Sequence, residues 1–194
     1  MGRITATESI TLDGVMQGLG RLDEDTRDGF TEGGWADGYQ DDVSMRFMGE
    51  GMSASGAMLF GRRTYEDVVG HWAGVSEPNP FTEHLLGARK FVVSRSAATA
   101  LAYPNSSLLA GEATETVERL RDETDGVLSI IGSGELVRSL HAAGLIDGYV
   151  LQIHPIVLGS GTKLFADGDR SDLTLERSVA TTTGVIIAQY LVKR

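Results

Sequence analysis

Leu59-Phe60-Gly61-Arg62-Arg63-Thr64-Tyr65-Glu66 closes an apolar run that opens at Ala57. A short apolar run that ends at glycine and meets charged and polar residues at once predicts a buried strand turning into a helix, here from Arg62 to about Val69. The first turn of a helix carries unpaired N–H groups and partial positive charge. Arginine there is opposed by the helix dipole, by about a few tenths of a kcal/mol per residue. A bound anion reverses that sign, so the segment predicts a phosphate site.

Two more junctions share this logic. Lys90-Phe91-Val92-Val93-Ser94 reads as a strand and runs straight into Arg95. Val127-Leu128-Ser129-Ile130-Ile131 reads as a buried strand that ends at Gly132-Ser133-Gly134. A helix with Glu135, Leu136, Val137 and Leu140 follows, closed by Gly144. Strands that alternate with helices imply a mostly parallel sheet covered on both faces. Ligands of such sheets bind at the carboxyl ends of the strands, and Gly61, Ser94 and Gly132 all stand at such ends. Two arginine-bearing junctions and one glycine junction suit a ligand with separated phosphates, such as a dinucleotide with an extra 2′-phosphate.

Outward from these, residues 3–10 read as a strand, with a turn at Thr11-Leu12-Asp13-Gly14. Residues 18–42 hold six glycines and eight of the 27 acidic residues, with Arg21 and Arg27 as the basic ones. That composition predicts an exposed, mobile loop. Trp35 and Tyr39 inside it either pin it to the core or close over a ligand. Residues 41–53 read as a helix whose Val43, Met45, Phe47, Met48 and Met52 form one broad apolar face. Pro78-Asn79-Pro80 breaks the chain before a short helix at 81–87, and Thr114 reads as the N-cap of a helix reaching about Glu123. Residues 146–153 read as a strand, and 172–180 with 184–192 as a closing antiparallel pair.

The chain has 194 residues, which predicts one domain, 1–194, with a full core. Its net charge of −10 speaks against a general nucleic-acid surface. It has no cysteine, hence no disulfide, thiolate metal site or cysteine nucleophile. No apolar stretch approaches the roughly 20 residues of a membrane span. Arg3-Ile4-Thr5-Ala6-Thr7 reads as a strand where a signal peptide would be apolar, so the expectation is a cytoplasmic protein. No G-x-G-x-x-G follows the first strand, and Gly159-Ser160-Gly161-Thr162-Lys163 lacks P-loop spacing. No G-x-S-x-G elbow occurs. His71, His84, His141 and His154 have no metal-ligand spacing, and His141 reads as a helix-end residue facing the dipole.

The chain resembles the dihydrofolate reductase-like superfamily, and more closely its bacterial branch that includes the riboflavin-pathway reductase domain, the RibD C-terminal domain. The resemblance rests on Thr11-Leu12-Asp13-Gly14, on Leu59 to Glu66, on Phe91-Val92-Val93-Ser94-Arg95, on Ile131-Gly132-Ser133-Gly134-Glu135-Leu136 and on Pro155 to Phe165, taken in order. It implies an α/β fold, a three-layer αβα sandwich with a central mixed, mostly parallel sheet of about eight strands. It implies NADPH as cofactor, a small-molecule substrate and a homodimer. Gly61, Arg62, Arg63 and Thr64 would then hold the adenosine phosphates and pyrophosphate, and Ser94 with Arg95 the 2′-phosphate. Gly132, Ser133, Gly134, Glu135 and Leu136 would line the pyrophosphate and nicotinamide ribose, with Ser9 and Met16 flanking the nicotinamide. Asp13 reads as a turn former.

The chain also departs from that pattern. Dihydrofolate reductases carry an acidic residue on the helix before the Gly-Arg motif. Here Asp41 and Asp42 stand near the start of that helix, about one turn out of register, as candidate carboxylates or as helix caps. The family's paired glycines after the fifth strand are Gly132-Ser133. Residues 15–42 lack the branch's ribose-phosphate grip. The expected function is an NADPH-dependent reductase that delivers hydride to a small heterocyclic (pterin- or pyrimidine-like) or carbonyl substrate, cationic or neutral because the loop is acidic. A nucleotide-binding or sensing module without turnover, or a flavin or folate binder, are the rival readings.

Overall fold

The structure, a computed structural model, describes residues 1–53 and 55–194. Strands β1 (Arg3–Thr11), β2 (Ala57–Gly61), β3 (Lys90–Ser94), β4 (Ser106–Ala110), β5 (Val127–Ile131), β6 (Gly148–His154), β7 (Leu173–Ala180) and β8 (Ile186–Val192) form one sheet in the order β4-β3-β2-β5-β1-β6-β8-β7. β2 pairs in parallel with β3 and with β5, and β3 with β4. β8 pairs antiparallel with both β6 and β7. Helices α1 (Asp42–Ser53), α2 (Arg62–Thr64), α3 (Gly70–Ala73), α4 (Pro80–Gly87), α5 (Ala113–Glu123) and α6 (Gly134–Ala142) lie between them in the chain. The contacts divide the molecule into two units, Met1–Ala6 with Gly49–Asp147, and Thr7–Met48 with Gly148–Arg194.

In the first unit β2, β3 and β5 are mainly apolar runs, as strands covered on both faces require, while the edge strand β4 is partly exposed. Met58, Phe60, Tyr65, Val69, Leu85 and Val92 form its core. α2 passes through a π-helical turn, Tyr65–Val69, into α3, so helix continues to Ala73 where the sequence placed its end near Val69. The Tyr65 hydroxyl donates to Ser106 Oγ at 3.0 Å and accepts from the Tyr103 N–H at 3.0 Å. Asn79 caps α4, its side chain accepting from the Thr82 N–H, with Pro80 in the first helical position.

Lys90 is fully buried. Its Nζ donates to the carbonyls of Leu85 (2.8 Å), Leu86 (3.1 Å) and Ala88 (2.8 Å). It thus satisfies carbonyls that the end of α4 leaves open. Thr114 is not a cap. α5 starts two residues earlier than that cap would place it, after Glu112, and Thr116 Oγ1 bonds back to the Glu112 carbonyl at 2.9 Å. α6 closes as expected at Gly144, whose N–H meets the His141 carbonyl while that of Leu145 meets the Leu140 carbonyl.

In the second unit the 18–42 segment keeps many exposed residues, as its composition predicts, but it is anchored to a core of its own. Phe30 and Trp35 join Val15 in a core cluster, and both are 7% exposed. Trp35 Nε1 donates to the Gln17 carbonyl at 2.7 Å. The buried Gln17 carboxamide accepts from the N–H and hydroxyl of Thr162 and donates to the carbonyls of Asp25 and Arg27. A Cβ at Gly161 would meet Phe30 at 2.7 Å and Val15 at 2.8 Å, so only glycine lets the 159–162 turn seal this cluster. Asp23, Asp28, Glu32, Asp37 and Asp42 are exposed, while Asp25 pairs with Arg27 at 20% side-chain exposure and Glu24 accepts from the Arg21 N–H.

α1 buries Phe47 against Val185 and Ile187, with Tyr39, Met48, Val150 and Val179 around it. The apolar face is narrower than expected: Met48 packs beside Phe47, and Val43 and Met52 are half-buried. Met45 is exposed, and Ser44 is buried in its place because its hydroxyl and N–H close the helix start with Asp41.

Candidate functional site

The parallel register brings the three junctions to one end of the first unit's sheet. Gly61 stands opposite Val93, and Leu59 opposite Ile130, so Gly61, Ser94 and Gly132 leave the same edge within about a residue. The Gly61 N–H donates to Ser133 Oγ at 3.0 Å. Ser133 adopts the left-handed conformation, φ 61° and ψ 39°, directly after Gly132 at φ 62°. Two successive left-handed residues turn the chain sharply into α6, and serine bears a strain of about 1 kcal/mol that glycine would not. In return its hydroxyl ties β2 to β5. The Gly61 N–H and the Ser133 hydroxyl oxygen, both expected to meet a ligand, therefore meet each other. A Cβ at Gly132 would stand 3.1 Å from Thr64 Cγ2, so the two turns pack face to face.

Three arginines surround this point. Arg62 Nη1 pairs with Glu66 at 2.7 Å, Arg63 Nη1 with Glu135 at 3.4 Å, and Arg95 Nε with Glu112 at 3.4 Å. Arg95 is the most open, its side chain 87% exposed. Exposed pairs of this kind contribute about 0–1 kcal/mol, so a polyanion can take over the guanidinium groups at small cost. No side chain caps α6, which leaves the N–H groups of its first turn without a side-chain partner at the position where helices hold anions. Ser94 Oγ contacts Thr99 Oγ1 at 2.7 Å and accepts from the Ser96 N–H, which shapes the turn that carries Arg95. Leu136 is buried beneath the turn while Glu135 is exposed.

Ser9 and Met16 lie in the second unit, both half-buried. Ser9 Oγ accepts from Gln152 Nε2 at 3.2 Å. The Met16 N–H donates to the Thr162 carbonyl at 2.9 Å. Asp13 accepts from the Thr11 hydroxyl and from the N–H groups of Leu158 and Gly159, and these bonds, the hydroxyl first, bring its carboxyl down to about 2. It is a clamp between two turns. Asp41 caps α1. Its Oδ1 accepts from the Ser44 N–H at 2.8 Å and its Oδ2 from the N–H and hydroxyl of Thr182, both at 2.6 Å. The Thr182 hydroxyl is the main cause holding its carboxyl far below the usual range. Asp42 is exposed in the first turn of α1.

Three polar residues escaped the sequence reading. Glu8 is 4% exposed, its Oε1 has no hydrogen-bond partner, and burial pushes its carboxyl well above the ordinary value. The signal was present, since Ile4, Ala6, Glu8 and Ile10 share the buried face of β1 at period two. His154 is buried between the ring edges of Trp35 (5.1 Å) and Tyr39 (5.3 Å), with Nδ1 donating to the Gln152 carbonyl at 3.1 Å. Burial lowers its pKa. Gln152 had no local signal, because its partner Ser9 is far away in the chain.

Residues 3–187 match the family model of the RibD C-terminal domain. The chain belongs to the RibD C-terminal domain family. An uncharacterized family-scale relative, YyaP of Bacillus subtilis strain 168, is 29% identical over 174 residues, 85% of this chain and 89% of that protein. Among solved structures, a dihydrofolate reductase from Enterococcus faecalis complexed with NADP(H) superposes with a TM-score of 0.60 at 15% identity, covering 100% of this chain and 98% of that one. A pyrimidine reductase-like protein from Corynebacterium diphtheriae gives 0.63 at 14% identity, over 100% and 92% of the two chains. These likenesses establish the dihydrofolate reductase-like fold of this RibD C-terminal domain. Among the described residues no helix is long and apolar enough to cross a membrane.

Proposed function

We propose that the chain is an NADPH-dependent reductase of a small neutral or cationic substrate, heterocyclic or carbonyl. The observation that carries this reading is the convergence of Arg62, Arg63 and Arg95 with the uncapped start of α6 at one sheet edge. That donor set fits a ligand with separated phosphates. Arg62, Arg63 and Thr64 hold the adenosine phosphates and pyrophosphate, exchanging Glu66 and Glu135 for phosphate oxygens. Arg95, released from Glu112, holds the 2′-phosphate with Ser94. The backbone from Gly132 to Leu136 lines the pyrophosphate and nicotinamide ribose, and family resemblance assigns Ser9 and Met16 to the nicotinamide. NADPH, when bound, supplies the hydride. The protein's share is orientation and exclusion of water.

A second reading, a nucleotide-binding module without turnover, has one observation in its favour: Asp41 commits Oδ1 to the helix cap and Oδ2 to the N–H and hydroxyl of Thr182, which speaks against it as a substrate carboxylate. Cofactor titration by fluorescence, followed by turnover assays, tests both. NADPH should bind more tightly than NADH, and Arg95→Ala should weaken NADPH roughly 10–100-fold while leaving NADH nearly unchanged. Binding of neither cofactor, or equal losses for both, overturns the cofactor assignment. Tight NADPH binding with no turnover across pterins, pyrimidines and carbonyl compounds favours the second reading.

A further inference from the structure

Val150 of β6 packs with Phe47 and Met48 of α1, and Gln152, two residues on, shares its face of the strand. Ser9 meets Gln152 from β1 on that same face. Both side chains are half-buried; along the same face Val150 packs with Tyr39, Phe47 and Met48, Arg177 lies over the Phe47 ring at 4.5 Å, and His154 stands against Tyr39. Glu8, the charged neighbour of Ser9, projects to the opposite face of β1. Ser9 takes one N–H of the Gln152 carboxamide and so fixes its plane. Among the described residues, Oε1 of Gln152 meets no donor and the Ser9 hydroxyl proton no acceptor. A fixed carboxamide with an open oxygen and an open N–H presents an acceptor and a donor side by side. Turning the carboxamide by 180° lets Oε1 accept from the Ser9 hydroxyl and leaves both N–H groups and one oxygen lone pair open, still a donor beside an acceptor.

The geometry points to Gln152 as a specificity-determining residue that reads a cyclic amide edge of the substrate, ring N–H to Oε1 and ring carbonyl to the amide N–H, with Ser9 as its positioning residue. The inference deepens the reductase reading and rests on it for the fate of the bound ring, while the recognition itself needs no cofactor. A neutral amide edge satisfies both open groups at once. An analogue without the ring N–H takes from Oε1 the donor that the amide edge supplies, the situation in which hydrogen-bonding sites discriminate. The carboxamide of nicotinamide carries the same chemistry, so the test must separate the two sources.

The test is calorimetric binding of a bicyclic pyrimidinone and its ring-N-methyl derivative to wild type, Gln152→Met and Ser9→Ala, without cofactor. Wild type should prefer the N–H form at least tenfold. Gln152→Met should erase the preference, and Ser9→Ala should reduce it several-fold. Binding of neither probe, equal affinities in wild type, or a preference that survives in both variants overturns the proposal. Should Gln152→Met fail to fold, an unchanged preference in Ser9→Ala overturns it alone. A loss of NADPH affinity in Gln152→Met, with 2′-phospho-ADP-ribose binding unaffected, moves the amide to the nicotinamide and overturns the substrate assignment. Failure of NADPH to bind wild type overturns the reductase reading, and the cofactor-free discrimination then stands or falls by itself.

Discussion

The strand-end junctions of the first unit and the 18–42 segment of the second are both rich in glycine and charge, yet they are built in opposite ways. At the junctions, glycine and arginine mark the chemistry itself: the turn at Gly132-Ser133 has positive φ, and the arginines stand exposed in pairs a polyanion can displace. In the 18–42 segment most of the charge is a coat, Asp25 and Asp41 excepted. The structure there is decided by Phe30, Trp35 and the Gln17 carboxamide, which the composition outnumbers. The difference teaches that glycine and charge carry information by position and mislead when averaged over a segment.

That comparison can be broken most directly at Trp35. Trp35→Ala should cost about 3–5 kcal/mol, seen in urea midpoints, and hydrogen exchange should collapse across 18–42 first. Fast exchange there already in wild type, with an unchanged midpoint, would return the segment to the loop its composition predicts. Lys90→Met tests the first unit, where a buried cation on the Leu85 and Ala88 carbonyls, with Asn105 on those of Leu86 and Gly87, holds the end of α4. It keeps the side chain's bulk but leaves carbonyls unpaired, for an expected loss of about 3 kcal/mol. An unchanged denaturation midpoint would mean that those carbonyls find other partners.

Glu8 sharpens the contrast through pH. Its folded pKa lies above that of the unfolded chain, so the fold holds the proton longer. Stability should be full below the ordinary glutamate range near 4.3 and fall as pH rises above it. Glu8→Gln should flatten that decline in melts between pH 4 and 8; an identical slope in both proteins would refute the buried acid. The smallest effect belongs to Ser133. Ser133→Ala should cost about 1 kcal/mol by leaving the Gly61 N–H unpaired while keeping the strained turn. Ser133→Gly should cost less, since it relieves that strain, and thermal melts of the pair decide it.

The parallel core of the sheet was legible because β2, β3 and β5 are apolar runs ended by glycine or serine. β4 was not, because Ser106-Ser107-Leu108-Leu109-Ala110 is a short edge strand with neither an apolar run nor clean alternation. The arginine junctions were readable because each lies within a few residues of chain. Asp41 and Ser44 spell a helix cap locally, but the tie from Asp41 to Thr182 spans the sequence and leaves no local trace. Glu8 stood in plain alternation with Ile4, Ala6 and Ile10 and was overlooked because a carboxylate is not expected on a core face. Gln152 and Ser9 meet only once strands distant in sequence become neighbours.

The sealed amine of Lys90 turns the molecule into its own clock. The chain has three lysines, and Lys163 and Lys193 are exposed while Lys90 has no accessible surface. An amine-directed acylating reagent therefore labels two lysines promptly. The third acquires its mass tag only as often as α4 lifts away from β3, so one mass spectrum taken over time reads the opening rate of a single named contact.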